Sequence, residues 1–84
     1  MESCMITFRS VTPAQRGELA LRRAGIYCAI GRTPRVLAEQ GCGYSLRVNR
    51  PDLPEALELL RVKGISFRKA YCTDPEGNPG EIVL

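Results

Sequence analysis

Four cysteines, Cys4, Cys28, Cys42 and Cys72, are the residues of this 84-residue chain best suited to chemistry, because it has no histidine and no Cys-x-x-Cys pair. With those signs of a zinc site missing, neither a metal nor a cofactor is expected. What remains is thiol chemistry. A cysteine acts as its thiolate, whose reference pKa of about 8.5 falls beside a helix N-terminus or an arginine. Cys42 stands apart from the other three. It sits in Gly41-Cys42-Gly43, where the flanking glycines permit backbone conformations and close approaches that a side chain forbids, and Arg32, Thr33, Pro34 and Arg35 lie shortly before it.

Composition bounds the rest. The mass is 9.3 kDa, 44% of residues are hydrophobic, and 12 Lys and Arg against 9 Asp and Glu give a net charge of +3. A chain this short forms one thin-cored domain, so a site must be a shallow cleft or a loop. The positive charge is mild and spread along the sequence, which favours anionic partners only weakly. No apolar run approaches the roughly 20 residues that span a bilayer, and Met-Glu-Ser-Cys lacks the charged start and apolar core of a signal peptide. A cytoplasmic location is expected, with the four cysteines as thiols.

Periodicity supplies the elements that must position Cys42. Cys4, Ile6 and Phe8 share one face of a first strand. Thr12 before Pro13, with a glycine stop at Gly25, predicts a helix over 13–24 whose stripe is Ala14, Gly17, Leu21 and Ala24. Ile26, Cys28 and Ile30, then Tyr44, Leu46 and Val48, alternate as strands two and three. Asp52-Leu53-Pro54-Glu55 reads as a capping-box variant opening a helix with Leu53, Ala56, Leu57 and Leu60 inward and Gly64 as its stop. Ile65, Phe67 and Tyr71 share a face of strand four, and the segment 73–80 reads as turn and tail, with Glu81 to Leu84 pairing briefly at an edge.

Strand, helix, strand, strand, helix, strand is the order of an α+β, ferredoxin-like split βαβ fold. Right-handed crossovers give the sheet order 4-1-3-2, both helices on one face and the other face open. The expected organisation is one domain over 1–72 and a turn-rich tail over 73–84. This topology brings the start of helix one, with Ser10 and Thr12, to the same sheet edge as Arg32, Thr33, Arg35 and Cys42. Helix N-terminal amides and arginines there supply positive potential and hydrogen-bond donors. Cys4 and Cys72 fall at the opposite edge on neighbouring strands, where a bond between them is left open for oxidised preparations, and Cys28 faces the helices. Cys4 and Cys28 read as compact core residues and Cys72 as a surface or edge residue.

The segments Ile6-Thr7-Phe8-Arg9-Ser10, Ala24-Gly25-Ile26, Thr33-Pro34-Arg35, Cys42-Gly43-Tyr44-Ser45-Leu46-Arg47-Val48 and Gly64-Ile65 together resemble the selenium/sulfur carrier-like family of small bacterial domains. The resemblance spans about residues 5 to 71, and Thr-Pro-Arg followed by Cys-Gly is its most distinctive element. It implies that Cys42 holds sulfur or selenium as a persulfide or selenopersulfide and passes it between a donor and an acceptor protein, with Arg35 and the backbone of Gly43 beside it. The chain departs from the family in Gly41 before the cysteine, in three further cysteines, and in the tail.

Three other function classes compete with this one. RNA recognition on this fold stacks bases on aromatics of strands one and three, but the open face there offers Met5, Thr7, Arg9, Ser45, Arg47 and Asn49 without a ring, so nucleic acid is not expected as a partner. A regulatory domain that dimerises through the open face and binds a small anion at the Thr-Pro-Arg loop is the alternative. It needs no thiol. An enzyme is the class least supported, since general acid–base catalysis has few players without histidine or a carboxylate pair, and any catalysis would be transfer through Cys42.

Overall fold

In the computed structural model, which describes residues 3–33, 43–73 and 79–82, the sequence folds into two helices and one antiparallel sheet. The elements are β1 (Ser3–Phe8), α1 (Val11–Arg23), β2 (Cys28–Arg32), β3 (Tyr44–Asn49), a 3-10 turn (Arg50–Asp52), α2 (Leu53–Val62), β4 (Ala70–Thr73) and β5 (Pro79–Ile82). The sheet order is β2-β3-β1-β4-β5, so it differs from the four-stranded 4-1-3-2 expectation by one added edge strand. That strand comes from the supposed tail: Thr73 pairs with Pro79 and Tyr71 with Glu81. Pro79 and Gly80, read as turn and tail, stand within β5, and residues 74–78 lie outside the described residues.

Register explains which face is buried. Cys72, Cys4, Val48 and Cys28 form one cross-strand row, and Ala70, Ile6, Leu46 and Ile30 the next. These residues join Ala14 and Leu21 of α1 and Leu53, Ala56, Leu57 and Leu60 of α2 in a single core, so both helices cover the same face. α1 lies close because Gly17 has no side chain: a Cβ there would stand 3.1 Å from Leu46 Cδ1 and 3.1 Å from Leu60 Cδ2.

Both helices end alike. Gly25 (φ 80°) and Gly64 (φ 70°) adopt the left-handed conformation that glycine tolerates. Ile26 N–H then donates to Leu21 O and Ile65 N–H to Leu60 O, each at 2.9 Å, which closes a Schellman turn and tucks the isoleucine against the helix it follows. The helix starts depart from expectation. α1 begins at Val11 with Ser10 as its cap, and Thr12 lies inside the first turn; Pro13 is tolerated at the third position because its missing N–H would have had no intrahelical partner. Asp52 precedes α2 in helical backbone after the 3-10 turn and makes no side-chain capping bond, so the predicted capping box does not form. Ala24, assigned to the buried stripe, is exposed, because the helix has already ended there.

Strand four is the largest correction. Thr7 N–H donates to Lys69 O at 2.8 Å, and Arg68 N–H donates to Thr7 O at 2.7 Å, so two successive residues oppose one: a β-bulge. Ile65 is buried before the bulge, whereas Ala70 and Cys72 are buried after it, which reverses the phase and turns Tyr71 to the helix-free face beside Met5. Cys72 is therefore a core residue and not a surface one. Thr7, Ser45 and Tyr71 are also buried, so that second face is less open than expected.

Candidate functional site

β2 leads into the segment 34–42 and β3 leads out of it, and backbone closes their mouth: Thr33 N–H donates to Gly43 O at 3.0 Å. β1 ends against the same point. A Cβ on Gly43 would lie 3.2 Å from the Phe8 carbonyl oxygen and 3.3 Å from Thr33 Oγ1, so glycine is what lets three backbone segments converge here. Thr33 Oγ1 is a buried oxygen without a hydrogen-bond partner among the described residues. A donor in that state is available to a bound group or to a neighbouring stretch of chain. Arg32 extends over the Tyr44 ring, its guanidinium carbon 6.0 Å from the centroid, a cation–π contact that fixes a positive charge at the end of β2.

The start of α1 follows Phe8 by two residues. Ser10 makes no side-chain capping bond, Thr12 lies in the first turn, and that turn contains no acidic residue, so the positive end of the helix is not neutralised from within. Gly43 thus touches both Thr33 and Phe8, Arg32 is held beside them by Tyr44, and Ser10 and Thr12 stand at the cap and in the first turn of α1. Cys42, Arg35 and Pro34 lie outside the described residues.

The other cysteines are accounted for. Cys4 and Cys72 face each other in the β1–β4 register, with Cα atoms 4.0 Å apart, and form a disulfide, which corrects the expectation of free thiols. Ala70 and Cys72 stand out of phase with Ile65 and Phe67, and the bulge between them is what turns Cys72 inward. Cys28 is a buried free thiol whose Sγ donates to Glu18 O at 3.7 Å. Burial raises its pKa above the ordinary value, a hydrogen bond from Arg22 opposes the rise, and the Glu18 charge adds to it. Arg22 also donates to Cys28 O at 3.3 Å and pairs with Glu18 at 3.4 Å, tying α1 to the start of β2. Neither arrangement makes an accessible nucleophile. Among the described residues no group of three or more potential ligands could hold a metal, and no helix is long and apolar enough to cross a membrane.

The described residues form a two-helix α+β domain in which β1, β2 and β3 converge at Gly43. The chain belongs to the family described as "Putative Se/S carrier protein-like", whose model matches residues 3–72. The match runs from the first residue of β1 to the second cysteine of the disulfide and leaves β5 outside. None of the curated proteins matches the chain.

Proposed function

We propose that this protein is a sulfur or selenium carrier in which Cys42 is the cargo-bearing thiol. Its framework is read as a ferredoxin-like domain over 1–72, working in the cytoplasm. The transfer is an exchange at sulfur: the Cys42 thiolate attacks the terminal sulfur of a donor persulfide R–S–SH, the donor S–S bond breaks, and Cys42–S–SH and R–S⁻ result. The same exchange with an acceptor thiolate unloads the cargo. Arg32, Arg35, Thr33, the backbone at Gly43, and Ser10 and Thr12 at the α1 start supply the positive potential and donors that favour thiolate and persulfide anions.

The observation that carries this reading is the state of the other cysteines. A persulfide is destroyed when a second thiol attacks it and forms a disulfide. Cys4 and Cys72 are buried and face each other across β1 and β4, and Cys28 is buried with a raised pKa, so whether the first two are bonded or reduced, none of the three is placed to compete. Family membership points the same way. The test is mass spectrometry of the non-reduced protein after incubation with polysulfide, or with selenite and glutathione, alongside Cys42→Ser. One added sulfur or selenium atom on the Cys42 peptide, absent from the variant, is expected. No gain in the wild-type chain, or an equal gain in the variant, rejects the carrier role.

The unpartnered Thr33 Oγ1 favours a second reading, an anion-binding regulatory domain that pairs through its helix-free face. It predicts sulfate binding that survives Cys42→Ser, with no uptake of sulfur or selenium by either form.

A further inference from the structure

Packing within one copy does not explain Gly31. A Cβ built there meets no atom within 4 Å among the described residues, and the left-handed backbone that calls for glycine is confined to Gly25 and Gly64 among the described glycines. Glycine weakens a strand and often marks a place where another backbone approaches closely. Four residues earlier, Tyr27 is 69% exposed. It alternates with Ile26 and Cys28, both buried in the core, so its ring belongs to the helix-free side that Ala29 and Gly31 share.

Tyr27 and Gly31 flank an unpaired sheet edge. β2 pairs with β3 alone, and the bond from Thr33 N–H to Gly43 O sets the phase of that ladder. Hydrogen-bonded and non-hydrogen-bonded pairs alternate, so Ala29 and Gly31 aim their backbone groups at β3, whereas Cys28, Ile30 and Arg32 aim theirs outward. Arg22 of α1 reaches Cys28 O at 3.3 Å, as that direction requires. The two edges of the sheet are dressed differently. β5 starts with Pro79 and carries Glu81, devices that discourage strand addition, while Cys28–Arg32 has no proline and its one charge, Arg32, is held over Tyr44.

We propose that β2 pairs antiparallel with the β2 of a second copy, centred on Ala29. Cys28 and Ile30 of each copy exchange backbone bonds with Ile30 and Cys28 of the other, and each Tyr27 stands opposite the other copy's Gly31. The Cys28 carbonyl has a second lone pair, so its bond from Arg22 is kept. The two-fold axis makes the fit self-complementary, a protruding ring on each copy covering the vacant side-chain position on the other. The depression over Ala29 and Gly31, bounded by Met5, Ser45 and Arg47, has a volume of about 180 Å³. A cavity of about 150 Å³ already holds a benzene ring. Charge selects the antiparallel direction. Arg32 ends β2, and Arg22 ties the Glu18 carboxylate to the start of β2, so the basic end of each strand meets the carboxylate beside the other's start. A parallel pair would set Arg32 against Arg32. The pairing leaves the helix-free faces apart and stands independently of the carrier reading.

The test is sedimentation velocity of the full chain carrying Cys42→Ser, so that no intermolecular disulfide through Cys42 contributes, from micromolar to millimolar concentration. A reversible monomer–dimer equilibrium is expected, with hydrogen exchange at the Cys28 and Ile30 amides slowing as the dimer fills. Tyr27→Ser and Gly31→Val should each weaken the dimer about tenfold, because a contact across a two-fold axis is lost twice. The double variant should be no weaker than either alone, since both break the same contact. Val62→Ser, which removes an exposed apolar residue from α2, should leave the equilibrium unchanged. Tyr27→Ser changes an exposed side chain, so it decides the outcome if Gly31→Val unfolds. A chain that stays monomeric at millimolar concentration, a dimer indifferent to Tyr27→Ser, or an equal loss with Val62→Ser would overturn the proposal.

Discussion

Thr7 and Lys69, 62 residues apart in sequence, meet twice through one hydroxyl: Thr7 Oγ1 accepts from the Lys69 N–H at 3.1 Å and donates to the Lys69 carbonyl at 3.2 Å. A bulge leaves one strand N–H without a ladder partner, and here a side chain on the opposing strand supplies it. Thr7→Val keeps the shape and removes the acceptor. Because a buried N–H left unsatisfied costs about 1–3 kcal/mol, the urea midpoint should fall accordingly, while Thr7→Ser stays within about 0.5 kcal/mol of wild type. Equal stability of Thr7→Val would mean that water replaces the hydroxyl at no cost.

The Cys4–Cys72 bond closes a loop with a sequence separation of 68 residues. Cross-links over loops of this length restrict the unfolded chain and contribute about 2–4 kcal/mol. Adding dithiothreitol should lower the free energy of unfolding by that amount and move the denaturation midpoint down with it. Hydrogen exchange should quicken most in β4 and β5, because β5 reaches the rest of the sheet only through β4. A midpoint indifferent to reductant would show that the two sulfurs are not joined in solution.

The sequence made some of this legible and hid the rest for physical reasons. Helix stops at Gly25 and Gly64, and the Leu53, Ala56, Leu57 and Leu60 face, are local patterns of periodicity and conformational preference, and they stand where the sequence places them. The bulge at Arg68 and Lys69 was hidden because it depends on a hydroxyl from the first strand. Without the bulge, simple alternation puts every later residue of β4 on the wrong face and leaves Cys72 outside the core. Ser10 displaced Thr12 as the α1 cap because both are good caps, and the fit of β1 to α1 decides between them. β5 was hidden because its own first residues, Pro79 and Gly80, are types that usually mark turns. Of the candidate site, the convergence of Thr33 with Gly43 follows from the antiparallel approach of β2 and β3, and the expected strand order puts β1 beside β3, but the closeness of Gly43 to the Phe8 carbonyl shows only in the structure.

Cys28 makes stability depend on pH. Its folded pKa is raised, chiefly by burial, above that of the unfolded thiol near 8.5. As pH rises, the unfolded chain releases this proton first. The Cys28 contribution is therefore fully present below about 8.5 and is lost progressively as pH climbs through the raised folded value. Urea midpoints should decline more steeply above that pH in wild type than in Cys28→Ala. Iodoacetamide should label Cys28 about a hundredfold more slowly in the native chain than in urea, because labelling awaits opening of the structure. Native labelling at the unfolded rate would contradict the burial of this thiol.

Gly43→Ala probes the candidate site without touching its thiol. The added methyl would lie 3.2 Å from the Phe8 carbonyl oxygen, a backbone atom that cannot rotate away, and 3.3 Å from Thr33 Oγ1. β1 and the start of β3 must therefore separate by a few tenths of an ångström, which strains the bond from Thr33 N–H to Gly43 O. Overpacking of this kind costs about 1–3 kcal/mol. If Gly43 shapes the surroundings of Cys42, the alanine variant should also change the pH profile of Cys42 alkylation and its uptake of sulfur, while labelling of Cys28 in the folded state stays slow. A loss of stability with the Cys42 profile unchanged would confine Gly43 to packing β1 against β3 and would remove it from the carrier site.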